Sequence, residues 1–395
     1  MRIGIAGNVA PSVLASAGLP RLDFERGSGS PLLSTLILLL VERGHEVTVC
    51  TCVPDIQRPE IVTAEALTVC LIPLRPRHRG RDLYRVERAG IAAAMRAHPV
   101  DVLNAHWSYE YALAALDVDP DAVVTMHDNA TAILRYYRDA YRAARWVMGR
   151  QALTRARYVT VNSPYMQAHL TPKARAKSLV IPDFFSPDLR RVPLPRRHER
   201  SGIVTVAQDF SARKNVQAAL RVLSVLRRSR PDLELRLVGV EMAPSGPAAR
   251  WAASAGLAEG VVFLGSLPYP DTLRAIAGAS VLLHPAREES FGGVVLEAMQ
   301  LGTPVVAVRD AGAVPYVLGD DDAGRLHGAD DVAGMAESVG TLLDSPSIAE
   351  AQAVSARAAA ARFAPERIVP QYEAAYAHVL ARKRAGEDVR HRTTA

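Results

Sequence analysis

The sequence predicts an α/β protein of two Rossmann-like, doubly wound, mostly parallel sheets that face each other across a cleft. Three observations carry that expectation. Short β-branched apolar runs alternate with helical segments from the first residues onward. A proline- and arginine-rich stretch without apolar periodicity, residues 183–200, interrupts the alternation. A second strand–helix series then begins at Ile203. With 395 residues the chain is also too long for one ordinary core.

In the first series, residues 2–7 read as a strand, and a loop with Gly27-Ser28-Gly29-Ser30 leads into an apolar helix over 31–43. Gly44 suits that helix's C-terminal cap, which requires a left-handed backbone. Residues 46–53 give a β-branched second strand. Further strands are expected at 67–72, 102–105, 123–126 and 158–161, and one long helix at 131–150 carries Tyr136, Tyr137, Tyr141 and Trp146 among arginines. In the second series, strands are expected at 203–207, 235–240, 261–264, 281–283 and 305–308, with alanine-rich helices over 330–382. The expected domains are therefore 1–183 and 203–365, with a linker at 184–202, a terminal helix at 366–382 and a disordered charged tail at 383–395.

Composition fits this plan. Hydrophobic content of 49% with 22% charged residues is ordinary for a soluble globular chain. The first residues already form a strand, so no signal peptide is expected. The longest apolar run, 32–41, is too short to span a bilayer. A cytoplasmic protein is expected. Cys50, Cys52 and Cys70 sit in strand-like runs without a second pair at ligand spacing, so they read as small buried hydrophobes. The net charge of +6 includes two dense stretches, Arg75 to Arg88 and Arg190 to Arg197. These read as solvated loop faces, with an anionic acceptor or peripheral contact with a membrane surface as the alternative. The sequence contains no recognisable nucleic-acid-binding module.

The most informative segment is 284–307. A buried strand ends in a loop with Glu288 and Glu289, Gly292-Gly293 opens a helix, and Glu297 follows one turn in. Ligands of open α/β sheets bind beyond the carboxyl ends of strands. A helix amino terminus offers unpaired N–H groups to a phosphate, and glycines let backbone approach an anion closely. Carboxylates suit sugar hydroxyls, because they only accept hydrogen bonds. A phosphate cradle beside such carboxylates describes a sugar nucleotide.

Glu289-Ser-Phe-Gly-Gly-Val-Val-Leu-Glu297 resembles the signature of retaining family 4 glycosyltransferases of GT-B fold. The resemblance implies that Glu289 contacts the donor hexose, that Glu297 contacts the nucleotide ribose, and that the Phe291-Gly292-Gly293 backbone lies by the diphosphate. It further implies that Arg213 and Lys214 neutralise the departing diphosphate, although Asp209 stands where the family has an arginine. His127, ending the strand at 123–126, is similar to a histidine that contacts the donor hexose, and His106 resembles a second frequent position. Gly29 falls in the family's glycine-rich turn, and Gly239 and Leu267 fall in segments that line the nucleotide base. The first domain would bind the acceptor and the second the nucleotide sugar, and the terminal helix would cross back to the first domain. Pro182-Asp183 and Tyr316 depart from the family pattern and take no role.

The expected activity is transfer of a hexose from a nucleoside diphosphate sugar to a hydroxyl acceptor, with retention of anomeric configuration. The acceptor class stays open among small molecules, glycans and glycolipids. No cofactor is expected beyond the donor, and no Asp-x-Asp motif or metal-ligand cluster stands in the sequence, so a metal-independent reaction is expected. Rival readings are a sugar-nucleotide epimerase or sugar phosphorylase of the same fold, a glycoside hydrolase using Glu289 and Glu297, and a non-enzymatic sugar-nucleotide sensor. A dinucleotide-binding protein is disfavoured, because no Gly-x-Gly-x-x-Gly follows the first strand.

Overall fold

A computed structural model describes residues 1–15, 18–19, 29–54, 56–319 and 321–393. The chain forms two compact units, Met1–Pro182 with Glu366–Ala395, and Asp183–Pro365.

The first unit holds an eight-stranded sheet: β1 (Arg2–Ala6), β2 (Glu46–Val53), β3 (Glu60–Ala64), β4 (Leu67–Pro73), β5 (Val102–His106), β6 (Val123–Met126), β7 (Tyr158–Val161) and β8 (Ser178–Val180). Their order is β3-β4-β2-β1-β5-β6-β7-β8. All pairs are parallel except β3 with β4. The chain runs outward from β1 to one edge and then returns to β5 on its other side. That reversal opens a crevice at the carboxyl ends of β1 and β5.

The helix Pro31–Glu42 starts where Ser30 accepts the Leu33 N–H, with Pro31 in the first turn, and it buries Leu33, Leu36, Ile37 and Leu40. Gly44, at φ +82°, ends it as expected. Cys50 and Cys70 are register partners on β2 and β4, and all three cysteines are buried free thiols.

Three expectations for this unit and its boundary are corrected. The helix expected at 131–150 is two helices, Ala130–Tyr137 and Ala140–Arg155. Arg138 turns left-handed at φ +49°, and Asp139 caps the second helix by accepting the Arg142 N–H. The terminal helix runs Pro365–Thr393, past its expected end at 382. Residues 383–393 contain a single glycine and no proline, so good helix formers continue the turn. Within the unit, Tyr376 Oη donates to Asn104 Oδ1 at 2.8 Å, and Lys383 Nζ donates to the Asp101 carbonyl at 3.3 Å. The supposed linker belongs to the second unit: Phe185 and Leu189 join its core, and Arg200 donates to the Gly302 carbonyl at 2.6 Å. Its prolines shape short 3₁₀ turns at Pro187–Arg191 and near Arg197–Glu199.

The second unit holds six parallel strands: β9 (Ile203–Val206), β10 (Leu235–Val238), β11 (Val261–Gly265), β12 (Val281–His284), β13 (Val305–Val308) and β14 (Arg325–His327). The order β11-β10-β9-β12-β13-β14 places the reversal between β9 and β12. The loops leaving those two strands carry the charged residues of the candidate site. Among the described residues, no helix is long and apolar enough to cross a membrane.

Candidate functional site

Two loops at the carboxyl ends of β9 and β12 bring residues 75 positions apart into contact. Lys214 Nζ lies 2.6 Å from Glu289 Oε1, and Arg213 Nε lies 2.6 Å from Glu288 Oε2. Arg213 also approaches Glu289 Oε2 at 4.0 Å, and His284 Nε2 stands 3.4 Å from Glu289 Oε1. Backbone ties fix the two loops together: the Arg287 N–H donates to the Arg213 carbonyl at 2.8 Å, and Asn215 Nδ2 donates to the Pro285 carbonyl at 3.1 Å. Asn215 itself takes a left-handed turn at φ +50° to start the helix Val216–Arg227. Asp209 accepts the Ser211 N–H at 3.1 Å, which shapes the turn leading to Arg213.

Burial alone would raise the Glu289 carboxyl. Lys214, His284 and Arg213 outweigh it and hold the group well below the usual carboxylate range. The residue is therefore ionised, acceptor-only and locked in place, which suits a group that receives hydroxyl hydrogens. Lys214 and Arg213 place two fixed positive charges at the carboxyl ends of β9 and β12. Gly312 keeps the Glu289 backbone in position: its φ is +66°, the Ala313 N–H donates to the Glu289 carbonyl, and a Cβ at 312 would meet that carbonyl oxygen at 2.2 Å.

The helix Gly293–Leu301 opens as expected. Gly292 precedes it at φ +98°, and a Cβ built on Gly293 meets nothing within 4 Å. An anion can thus reach the first N–H groups, which have no helical carbonyl ahead of them. Phe291 points its ring into the core, edge-on to Phe363 with centroids 5.3 Å apart, so only its backbone is offered to a ligand. Glu297 accepts from the Tyr269 hydroxyl at 2.9 Å. Burial pushes Glu297 up to about 7, against the opposing pull of that hydrogen bond, and burial beside the carboxyl raises Tyr269 well above its ordinary value.

Gly239 and Leu267 have structural duties. Gly239 lies where β9 and β10 end side by side, with φ +145°, and a Cβ there would sit 1.7 Å from the Ala207 carbonyl oxygen. Leu267 packs, partly buried, on the core. In the first unit, Gly29 lines a cavity at the end of β1, and its Cβ position is taken by the Val9 carbonyl at 2.2 Å. Gly27 and Ser28 of the same loop lie outside the described residues.

His106 and His127 meet each other. His106 Nδ1 and His127 Nε2 are 2.8 Å apart, with 16° between the ring planes. His106 is buried, and burial followed by the proximity of His127 keeps it well below its ordinary value, hence neutral. It orients His127 rather than facing solvent. Trp107, left-handed at φ +65°, packs on the His127 ring with centroids 5.0 Å apart.

Several cations of the first unit are already engaged. Arg75 bridges Glu87 and Asp82, Arg88 pairs with Asp117, and Arg142 pairs with Asp139. Among the described residues, no group of three or more His, Cys, Asp and Glu side chains is arranged to hold a metal ion. Tyr269, His284 and the partnership of Glu288 with Arg213 are site features that the sequence left unassigned. Tyr269 had only its place at a helix start to recommend it.

Two family descriptions match the chain, Glycosyltransferase Family 4 over residues 32–189 and Glycosyl transferases group 1 over residues 193–361. Among curated proteins, the chain is 34% identical over 221 residues to the MMP alpha-(1->4)-mannosyltransferase of Mycolicibacterium hassiacum, covering 52% of this chain and 53% of that protein. It is 33% identical over 220 residues to the GDP-mannose-dependent alpha-(1-6)-phosphatidylinositol monomannoside mannosyltransferase of Mycolicibacterium smegmatis, covering 52% and 54%. The chain thus spans about half the length of the curated relatives it matches. Among solved structures, sucrose-phosphate synthase from Thermosynechococcus elongatus superposes with a TM-score of 0.76 at 19% identity, covering 96% of this chain and 99% of that one. WaaG, a glycosyltransferase involved in lipopolysaccharide biosynthesis, superposes with a TM-score of 0.66 at 19% identity, covering 94% and 98%. At such identities these structures establish the fold alone. With its two halves matched in turn by the two family descriptions, the chain belongs to the family 4 glycosyltransferases and has the GT-B fold.

Proposed function

We propose that the chain transfers a hexosyl group from a nucleoside diphosphate sugar to a hydroxyl acceptor, with retention of anomeric configuration and without a metal ion. The carrying observation is the double pair Lys214–Glu289 and Arg213–Glu288 at the sheet's reversal point, whose two carboxylates stand on the loop that leads into the glycine-opened helix.

Glu289 accepts hydroxyl hydrogens of the donor hexose, and Glu297, steadied by Tyr269, accepts those of the ribose. The diphosphate takes the N–H groups at Gly293, and Arg213 with Lys214 supplies the positive charge that a divalent cation would otherwise bring. As the bond from the anomeric carbon to the diphosphate oxygen breaks, negative charge grows on that oxygen. Fixed cations in a site shielded from water stabilise it without reorganisation. Holding donor and acceptor in register contributes roughly 7–11 kcal/mol more. His127 keeps its donor-hexose role on the strength of the resemblance alone. Two curated relatives are mannosyltransferases by name, and one is GDP-mannose-dependent, which makes GDP-mannose the first donor to test.

The test is product analysis with GDP-mannose or UDP-glucose in EDTA, with and without polyol acceptors. A glycoside of the donor's own anomeric configuration is expected, formed only with acceptor. An isomerised sugar nucleotide without acceptor would point to an epimerase, sugar phosphate formation to a phosphorylase, and binding without turnover to a sensor.

A further inference from the structure

The first unit has a cavity of about 150 Å³ among the helices Ala130–Tyr137, Ala140–Arg155, Pro164–Ala168 and Pro172–Arg175, and none of the residues assigned to the donor lines it. Its floor is apolar, with Met126, Met166, Leu170 and Ala174 buried there. Trp146 and Leu153 add a half-buried wall. An apolar cavity of about this size takes up one benzene-sized ring.

The charge around it has one sign. Arg150, His169 and Lys173 are exposed members of the lining, and no Asp or Glu belongs to it. Asp128, the acidic side chain next to the lining residue Asn129, accepts from the Tyr109 hydroxyl at 2.6 Å. Among the described residues, neither Arg150 nor Lys173 pairs with a carboxylate. The Arg150 guanidinium lies over the Trp146 ring, 5.6 Å from its centre, and His169 Nδ1 is held 2.8 Å from the Tyr165 carbonyl.

Most other polar groups of the lining are engaged within the fold. Asn129 accepts the Ala132 N–H, Thr131 the Trp146 indole N–H and Thr171 the Ala174 N–H, while Thr154 donates to the Arg150 carbonyl. A sugar would therefore find few donors and acceptors here. An organic anion finds what it needs. The arginine fork takes a carboxylate through two parallel bonds, and the ammonium adds a second charge. An aromatic ring gains area on the indole and polarisable contact with the methionine sulfurs.

We propose that this cavity binds a small aromatic carboxylate, with its ring against Trp146, Met126 and Met166 and its charge on Arg150 and Lys173. The site goes beyond the glycosyl-transfer reading and does not depend on it.

The experiment is an NMR titration of the full chain with benzoate, benzamide and acetate, in wild type, Arg150→Gln and Lys173→Gln. Benzamide keeps the ring without the charge, and acetate keeps the charge without the ring. Wild type is expected to bind benzoate about tenfold more tightly than either. Each variant is expected to lose most of the advantage over benzamide. Benzoate is also expected to bind with unaltered affinity in the presence of GDP-mannose or UDP-glucose. No benzoate binding, benzamide or acetate bound as tightly, or a benzoate preference unchanged in both folded variants would overturn the proposal. Displacement of benzoate by either sugar nucleotide would do the same, because the anion would then occupy the donor's site. If a variant does not fold, the wild-type order of the three ligands decides.

Discussion

Replacing Lys214 with alanine probes the charge arrangement of the site more sharply than any other single change. At 2.6 Å, and with an effective dielectric of about 20, its attraction for Glu289 is about 6 kcal/mol. Desolvation of both groups offsets most of that, so the pair itself adds little to stability. Removing one partner is different. Among the described residues, Glu289, with 12% of its side chain exposed, would keep the cationic neighbours Arg213 at 4.0 Å and His284 at 3.4 Å. Stranding a fully buried charge costs about 3–5 kcal/mol, and these two neighbours bring the expected loss down to about 2 kcal/mol. Its pH dependence has a definite sign. The wild-type Glu289 carboxyl is depressed, so its contribution is present above the unfolded-state value of about 4.3 and fades as pH falls toward the folded value. The Lys214→Ala deficit should therefore be full at pH 7 and shrink below about pH 4. Turnover should fall by about 10²–10³, the usual cost of removing one fixed group that stabilises developing negative charge. Urea unfolding at pH 7 and pH 3.5, beside steady-state transfer with GDP-mannose and UDP-glucose, measures both. A variant that unfolds at the wild-type urea concentration and keeps more than about half its activity would refute the reasoning.

Four further outcomes are expected. Donor binding should strengthen as pH rises through about 7, where Glu297 ionises, and Tyr269→Phe should shift that profile to higher pH by removing the hydrogen bond that favours the carboxylate. Calorimetric donor titration from pH 6 to 8.5 reads both effects. The same raised value favours the folded state at low pH and loses that advantage as pH climbs toward 7, so Glu297→Gln should stabilise the protein at pH 8 by on the order of 1–3 kcal/mol in urea melts. Gly239→Ala should destabilise by roughly 2–4 kcal/mol through its clash with the Ala207 carbonyl and its strained backbone, visible as a lower urea midpoint. Tyr376→Phe should cost about 1–2 kcal/mol by stripping the buried Asn104 Oδ1 of its donor, read from thermal unfolding.

Strands with continuous β-branched runs, such as β2 and β13, were legible from sequence because burial on both faces demands such runs. β3 mixes Glu60 and Thr63 with an exposed Ile61 at the sheet's edge, and β8 and β14 have three residues each, so none presents a continuous apolar signal. The helix break at Arg138 needed a left-handed non-glycine residue, which pattern reading discounts, although Asp139 offered a capping signal. At the site, the glycines and both glutamates of the 289–297 signature were visible because they are local to one strand–loop–helix unit. The contacts of Lys214 with Glu289 and of Tyr269 with Glu297 join segments that only the sheet order brings together. Mutual pairing of the cations with the carboxylates, rather than separate duties for each, is therefore a finding of the fold.

The central claim is that one loop and one helix start grip a sugar nucleotide through Glu289, Glu297 and the amide at Gly293. A crystal structure with GDP-mannose or UDP-glucose bound measures it directly. The diphosphate is expected on the Gly293 N–H and near Lys214, the ribose on Glu297 and the hexose on Glu289. A nucleotide seated away from residues 289–297, or both glutamates turned from its hydroxyls, would contradict it.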